Sequence, residues 1–514
     1  MPIYMQLDKS TPPCVVLTGQ TVRRLQCVML LGVIAVGSEL RVSYYLAKFS
    51  LFLDECAIVL KVRSQSCTAL SQIVNDNATA RNQIAPAGFV YLLKVIMDIL
   101  GSSEQVVRLV PLLCGLGTIA AFYLLSRKML SGWAQVAANL LVCVNQTAIL
   151  YSAQAKQYSM ELMVAVLMLI IGRSILNPSC QSRLFWAGTL MLGILPWFSF
   201  SSVFVLGGIA LVLASGELGK LRCALSGGRM GAVLVWVVLL IPVYFVSMRS
   251  GLENATLGGM WSSHYFPLHA LSGAPHWLGM KIEEVCTMSF NKRLWPLAAI
   301  GISCGLVASA RRGERTLLAG AAGVLVCLLA AVLQKYPFSG RLIVFSMPAL
   351  VLVMVTGYQW LRSVFPRSVR VASDLVATSA LLWCFASAVN AYGGRLSFID
   401  EPREALRFVK SNWKAGDHLY ATRYATPCVV YYGRVLGVPS SDITLNVYAP
   451  DGVGKSPTVL SVPVSPGRRW LVEMRTDWAE RGESVPVREY FEFRAMQLAR
   501  KDVEWTTATL YLVH

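Results

Sequence analysis

The chain has 514 residues, of which 55% are hydrophobic and only 14% are charged. Soluble proteins carry about 25% charged residues, so this composition excludes an ordinary soluble globular protein. The formal net charge is +18, but the Lys and Arg residues lie mainly in short loops between apolar runs. No nucleic-acid motif accompanies them, so the charge argues for membrane orientation and against a nucleic-acid partner.

Apolar runs of about 20 residues, the length that crosses a bilayer, recur from residue 25 to residue 391. We predict about eleven spanning helices, at 25–45, 106–125, 133–150, 158–176, 184–198, 201–215, 230–248, 294–310, 316–334, 342–361 and 371–391. Residues 392–514 are richer in charge and contain no spanning run. The sequence therefore predicts an α-helical polytopic membrane protein, with a membrane domain at 1–391 and a soluble α/β domain at 392–514.

Clusters of basic residues alternate along the chain with loops that are poorer in them. Cytoplasmic loops carry an excess of Lys and Arg, and one orientation places every cluster inside: Arg23–Arg24, Arg127–Lys128, Arg173 with Arg183, Lys220–Arg222–Arg229, Arg311–Arg312–Arg315 and Arg362–Arg367–Arg370. The N-terminus is then cytoplasmic, and an odd number of spans makes the C-terminal domain extracytoplasmic. Large outer loops follow at about 46–105 and 249–293.

The two outer loops contain interfacial features. Gly88–Leu100 predicts an amphipathic helix that is too short to span and suits the membrane surface. Aromatic residues in the second loop fit either headgroup anchoring or substrate contact: Trp261, Tyr265, Phe266 and Trp277. Cys56 and Cys67 in the first loop either form a disulfide or remain two thiols.

An acidic pair, Asp54–Glu55, follows the first predicted span within the sequence Leu-Phe-Leu-Asp-Glu. Carboxylates between apolar residues at an interface are partly desolvated, which makes one of them a candidate general base. An ordinary acidic loop is the alternative reading of the pair taken alone.

Four segments, taken in order, resemble the GT-C superfamily of polyprenyl-phosphate-sugar-dependent glycosyltransferases, in the branch of the protein O-mannosyltransferases and aminoarabinose transferases. They are Gly37–Arg41 with Leu51–Glu55, Ala85–Leu93 with Gly101–Glu104 and Arg108–Pro111, Tyr151–Tyr158, and Phe338–Leu342 with Pro348. The sequence departs from the pattern at three positions. Gln154 replaces Glu, Lys156 replaces Arg, and Leu342 replaces Tyr.

The resemblance implies an enzyme that moves a monosaccharide from a polyprenyl-phosphate donor to a lipid, polysaccharide or protein acceptor, with inversion, at the outer face of a bacterial inner membrane. Asp54 would be the base, and Glu55 would tune it or hold the acceptor. The leaving phosphate requires cations, and the candidates are Lys156, Arg341 and Arg81. Candidate substrate contacts are Gln154, Tyr158, His264 and Glu283.

The second outer loop also contains His264, His269 and His276, but their spacing matches no known ligand pattern and Pro267 and Pro275 interrupt any helix that would join them. We therefore predict no metal site from the sequence. No cofactor is implied with certainty, and a divalent metal stays open because relatives of this class differ.

The C-terminal domain alternates helical and extended patterns. Its first segment, Glu401–Trp413, predicts an amphipathic helix. The predicted strands are Asp417–Ala421, Val429–Tyr432, Thr458–Val464, Arg469–Met474 and Thr506–Val513. The domain contains no nucleotide-binding glycine motif, so acceptor recognition and a structural role both remain open for it.

Two other classes of protein compete with the enzyme. A transporter or lipid flippase predicts charges near the middle of the membrane and repeat symmetry between halves, and neither pattern is visible. A non-catalytic membrane scaffold makes no prediction that the sequence tests.

Overall fold

The computed structural model describes residues 19–64, 84–177, 179–215, 228–253, 259, 261–393, 402–447, 464–474, 485–503 and 506–513. Within them the α-helices up to residue 393 are α1 Gly19–Leu46, α2 Leu53–Arg63, α3 Ala87–Leu100, α4 Glu104–Ser126, α5 Trp133–Cys143, α6 Gln146–Tyr151, α7 Tyr158–Ile175, α8 Ser182–Ile194, α9 Ser202–Ser215, α10 Gly228–Val243, α11 Arg249–Leu252, α12 Ala274–Ser289, α13 Trp295–Arg312, α14 Arg315–Val332, α15 Met347–Val364 and α16 Arg367–Gly393. A π-helical turn, Tyr244–Met248, joins α10 to α11, and a 3-10 helix, Gly340–Ser346, leads into α15.

Eight helical segments among the described residues are long and apolar enough to cross a membrane: Gln20–Leu46, Glu104–Ser126, Tyr158–Ile175, Gly228–Met248, Lys292–Arg312, Arg315–Val332, Gly340–Val364 and Arg367–Ala391. Each coincides with one predicted span, so the chain is an integral membrane protein. The other three predicted spans are shorter helices. The run at 133–150 breaks into α5 and α6, while 184–198 and 201–215 correspond to α8 with a 3-10 turn and to α9. The predicted number of eleven is therefore not confirmed.

At the break between α5 and α6, side chains make the hydrogen bonds to backbone groups that water would make at an exposed helix end. Asn145 caps α6, because its side-chain oxygen accepts a hydrogen bond from Ala148 N at 2.9 Å. The guanidinium of Arg41, which is completely buried, donates to the carbonyl oxygens of Val142 and Cys143 at 3.1 and 2.8 Å. A helix end inside an apolar environment needs such partners for its last carbonyl groups.

Small residues permit the closest helix packing. A Cβ atom at Gly305 of α13 would lie 1.9 Å from the carbonyl oxygen of Val353 in α15, and one at Gly208 of α9 would lie 2.1 Å from that of Ala319 in α14. Both glycines are required by this approach, as expected of helices that associate in a membrane through small residues.

The chain after residue 402 forms an α/β unit. Its elements are α17 Pro402–Ser411, β1 His418–Thr422, α18 Thr426–Leu436, β2 Ile443–Val447, β3 Gly467–Met474, α19 Val485–Arg494, β4 Ala495–Val503 and β5 Thr506–Val513. The sheet order is β2-β1-β3-β5-β4, with β1 parallel to β2 and β3, and β5 antiparallel to β3 and β4.

Three predicted strands correspond to β1, β3 and β5, and the predicted amphipathic helices correspond to α3 and α17. The strand predicted at Val429–Tyr432 is wrong, because these residues lie in α18. Their β-branched and aromatic side chains favour a strand locally, but the buried positions Ala425, Cys428, Val429 and Tyr432 follow the period of a helix. The strand predicted at 458–464 lies almost entirely outside the described residues.

Candidate active site

The candidate site lies where several helix ends meet the α/β unit. The loop before α2, the start of α4, the irregular segment 152–157 before α7 and the 3-10 helix 340–346 come together there. The acidic pair begins α2, because Phe52 is extended and its N–H donates to Glu55 Oε2 at 2.8 Å. Acidic residues in a first helical turn also interact favourably with the helix dipole.

Asp54 is held between two cations. Its Oδ2 atom lies 3.2 Å from Nη1 of Arg341 and 4.0 Å from Nζ of Lys156. The Asp54 side chain is only 8% exposed, and that of Lys156 only 5%. Charge pairs at this distance interact strongly where water is largely excluded, and opposite charges favour the ionised carboxylate. The site therefore holds a nearly buried carboxylate and two cations within one small volume.

Two aromatic rings hold the guanidinium of Arg341. Its Cζ atom lies 5.6 Å from the ring centre of Tyr158 and 5.7 Å from that of Trp261. Such cation–π contacts orient a guanidinium. Its Nε atom is buried and has no hydrogen-bond partner among the described residues, whereas the side chain as a whole is 35% exposed. Arg341 is thus oriented by its neighbours and retains unused hydrogen-bonding capacity.

Glu55 forms a separate, fully buried pair with Arg108 of α4. Nε and Nη2 of Arg108 donate to its two carboxylate oxygens at 2.9 and 2.8 Å. Arg108 also donates to the carbonyl oxygens of Phe49 and Ser50 at 2.6 and 2.8 Å. The N–H of Ala155 donates to Glu55 at 2.6 Å. Through these bonds Glu55 joins α2, α4 and the segment that carries Lys156.

The segment that carries Arg341 is fastened by Glu284 of α12. One carboxylate oxygen of Glu284 accepts hydrogen bonds from Ser339 Oγ, at 2.8 Å, and from the N–H of Gly340. The other lies 2.9 Å from Nζ of Lys281, whose side chain is 6% exposed. Gly340 has a φ of +46°, a left-handed conformation that favours glycine. Glu284 therefore holds the residue directly before Arg341.

The remaining predicted residues lie around this centre. Tyr158 is buried against Arg341, and Gln154 lines a small pocket with Tyr44, Phe49, Phe52, Glu55, Arg108 and Ala153. The carbonyl oxygen of His264 accepts from Phe338 N at 3.3 Å. Burial and, next, the charge of Lys281 lower the pKa of the His264 imidazole. The ring therefore stays neutral at neutral pH, and it packs against Trp261 with 5.2 Å between the ring centres.

Glu283 lies on α12, one residue before Glu284, and is partly exposed. Arg81 and Cys67 lie outside the described residues. Within the described part of the chain no three metal-ligating side chains come together.

Arg108 and Glu284 are not among the residues predicted for the site. Trp261 is predicted only as one of four aromatic residues that fit either headgroup anchoring or substrate contact. The sequence does contain a signal for Arg108, because a cation at the start of an apolar span implies a buried partner. For Glu284, no sequence feature distinguishes it from the neighbouring Glu283.

The arrangement of the helices is that of a polytopic membrane protein with the GT-C fold, as the sequence resemblance predicts. Two solved structures are similar to the chain. ArnT from Cupriavidus metallidurans bound to undecaprenyl phosphate has a TM-score of 0.50 at 12% identity, covering 95% of this chain and 97% of that one. The archaeal oligosaccharyltransferase AglB from Archaeoglobus fulgidus, in complex with an inhibitory peptide and a dolichol-phosphate, has a TM-score of 0.50 at 12% identity, covering 87% and 69%. No protein-family model and no curated protein matches the sequence.

Proposed function

We propose that this protein is a glycosyltransferase that moves a monosaccharide from a polyprenyl-phosphate donor to an acceptor hydroxyl, with inversion at the anomeric carbon. The observation that carries the proposal is the nearly buried Asp54 between Arg341 and Lys156, at the ends of membrane helices in a GT-C fold. Structural neighbours bind undecaprenyl phosphate and dolichol-phosphate, which supports a lipid phosphate as the shared ligand chemistry.

The residues have complementary roles in this reaction. The acceptor oxygen attacks the anomeric carbon while its proton passes to Asp54. The bond from the anomeric carbon to the phosphate oxygen breaks, and the polyprenyl phosphate leaves with the electron pair. Arg341 and Lys156 stabilise the charge that develops on this phosphate. A phosphate that draws both cations toward itself also releases Asp54 from them, which makes the carboxylate a stronger proton acceptor.

Glu55 is proposed to act indirectly, by positioning Asp54, and not by contacting the substrate. Both of its oxygens are occupied by Arg108 and backbone N–H groups, so it positions the turn that carries Asp54. Gln154, Tyr158, His264, Glu283 and Arg81 stay candidate substrate or phosphate contacts.

The transfer reaction is tested with membranes from cells that lack the gene, because these supply the accumulated lipid-linked donor together with its acceptor. After metabolic labelling of the sugar, adding purified protein in detergent should move label out of the lipid-linked fraction and leave free polyprenyl phosphate. A donor that stays intact in this assay contradicts the proposal. If the intact donor instead crosses the bilayer of reconstituted vesicles, the flippase alternative replaces the enzyme.

We further propose that the site and residues 402–513 face the outside of the cell. Each of α1, α4, α7 and α15 reaches the site with one end and has basic residues at or just beyond the other, for example Arg127 and Lys128 after α4. A reporter that is active only outside the cytoplasm should work after Asn390 and fail after Arg315. The reverse pattern at both positions would exclude this orientation.

Glu284→Ala should weaken donor binding indirectly, through the segment that carries Arg341, because Glu284 itself is not proposed to contact the donor. The change removes the acceptor for Ser339 and Gly340 and leaves the buried Lys281 without this carboxylate. We expect a loss of about 1–3 kcal/mol in unfolding free energy and roughly tenfold weaker undecaprenyl phosphate binding, measured by denaturation and by titration with the lipid. Glu253→Ala is the control, because it removes a carboxylate from an exposed ion pair with Arg249 that lies outside the proposed site. Equal effects of the two substitutions would remove Glu284 from the support of Arg341.

A further inference from the structure

The α/β unit makes direct polar contacts to the loop that presents Asp54. The hydroxyl of Tyr432 in α18 accepts a hydrogen bond from the N–H of Leu51 at 2.6 Å. Leu51 is completely buried and lies three residues before Asp54, at the entrance to α2. The contact therefore joins a residue far along the chain to the backbone of the proposed catalytic turn.

The same hydroxyl donates a hydrogen bond to Glu104, the first residue of α4. Burial raises the pKa of Tyr432, so the hydroxyl stays protonated and can donate to Glu104 while it accepts from Leu51. Glu104 is also paired with Arg403 at 2.6 Å, and Arg403 donates to the carbonyl oxygen of Lys48 at 2.9 Å. The segment from 48 to 52 is thus held by the α/β unit at two backbone positions.

Glu104 lies one helical turn before Arg108, the residue that holds Glu55 and the carbonyl oxygens of Phe49 and Ser50. The loop before Asp54 is consequently held by α4 on one side and by the α/β unit on the other. Tyr432 of the α/β unit makes hydrogen bonds both to this loop and to α4. Apolar packing accompanies these bonds, because Leu51, Leu53 and Val59 share one core cluster with Val429 and Tyr432.

We propose that Tyr432 is a positioning residue of the active centre, and that the α/β unit serves the reaction by fixing the loop that carries Asp54. This inference rests on the proposed function for its catalytic consequence, but its geometric claim stands on the contacts alone. A misplacement of a reacting group by about 1 Å is enough to cost on the order of a hundredfold in rate.

The neighbouring Tyr431 provides a matched control. Its hydroxyl donates to the carbonyl oxygen of Ser102 at 2.8 Å, so Tyr431→Phe also removes one buried hydrogen bond from this interface. That bond does not reach the loop before Asp54. A general loss of interface stability should therefore affect both variants alike, whereas a positioning role should distinguish them.

The experiment compares Tyr432→Phe and Tyr431→Phe in the full-length protein by two measurements. The first is amide hydrogen exchange of the peptide that covers residues 49–53. The second is the transfer rate at saturating donor. In Tyr432→Phe we expect roughly tenfold faster exchange at Leu51, since a hydrogen bond of ordinary strength is lost, and a transfer rate reduced roughly tenfold with half-saturation unchanged. Tyr431→Phe should show wild-type exchange and transfer.

Equal behaviour of the two variants in both measurements would overturn the proposal, and so would wild-type exchange at Leu51 in Tyr432→Phe. If Tyr432→Phe does not fold, Glu104→Ala provides the second test, because it removes the acceptor of the Tyr432 hydroxyl and should also accelerate exchange in 49–53. A wild-type protein that transfers no sugar refutes the proposed function, while the exchange measurement still decides whether Tyr432 fixes the loop.

Discussion

Asp54→Asn should reduce sugar transfer by about 10²–10⁴-fold, because the amide keeps the shape of the side chain but cannot accept the proton of the acceptor hydroxyl. Binding of the lipid phosphate should survive or become tighter. In the wild type Asp54 lies 3.2 Å from Arg341 and competes with the phosphate for that cation, and the neutral amide competes less. The two quantities are measured as transfer of labelled sugar and as titration with undecaprenyl phosphate.

Asp98→Asn is a suitable control, since it makes the same chemical change at a half-exposed carboxylate that pairs with Lys94 on α3. An i,i+4 pair with a solvent-exposed partner contributes little to stability, so this variant should behave as wild type. Wild-type turnover in Asp54→Asn would remove Asp54 from catalysis. Loss of lipid phosphate binding in the same variant would show that Asp54 supports the donor and is not the base.

Arg341→Ala should reduce transfer by about 10²–10³-fold, the loss expected when one group that stabilises a developing charge is removed. Unlike Asp54→Asn, it should also weaken binding of undecaprenyl phosphate, because the guanidinium donors are lost in the ground state as well. Arg341→Lys should keep part of the activity, since an ammonium retains the charge but lacks the planar guanidinium that contacts Tyr158 and Trp261. Transfer rates and lipid titrations separate these expectations.

The control for this substitution is Arg293→Ala. Arg293 also lies over an aromatic ring, with its Cζ 5.7 Å from the ring centre of Trp383, so its loss removes a similar cation–π contact outside the candidate site. Near-normal transfer in a folded Arg341→Ala variant would assign Arg341 to packing at the helix end.

Much of the membrane fold follows from local sequence, because hydrocarbon thickness imposes a length on every spanning run. Local sequence does not predict the helix break within 133–150, where composition indicates one span. Asn145 caps a new helix there. The carbonyl groups at the break accept hydrogen bonds from the side chain of Arg41, which lies about a hundred residues earlier in the chain. At Val429–Tyr432 local sequence predicts the wrong type of element. The run has the composition of a strand but is helical, because the side chains that it buries against distant residues recur with the period of a helix.

In the candidate site, likewise, some residues are predictable from local sequence and others depend on contacts between distant parts of the chain. Asp54, Lys156 and Arg341 are polar residues at the ends of apolar runs, which is a local signal, and the structure brings them together. The partner of Glu55 and the support of Arg341 depend on contacts between residues more than fifty positions apart. No feature near Glu284 in the sequence separates it from Glu283, because only the carboxylate of Glu284 meets Ser339.

The single apolar cluster that runs from α2 into α18 has a consequence for how the protein can change during evolution. Regions joined by a small polar contact are exchanged as modules, whereas regions that share a core unfold together. Replacing residues 402–513 by the corresponding part of a relative would leave Leu51, Leu53 and Val59 facing side chains that did not evolve with them. Substitutions within the existing unit that retain the residues around Val429 and Tyr432 are therefore expected to be tolerated better than exchange of the whole unit.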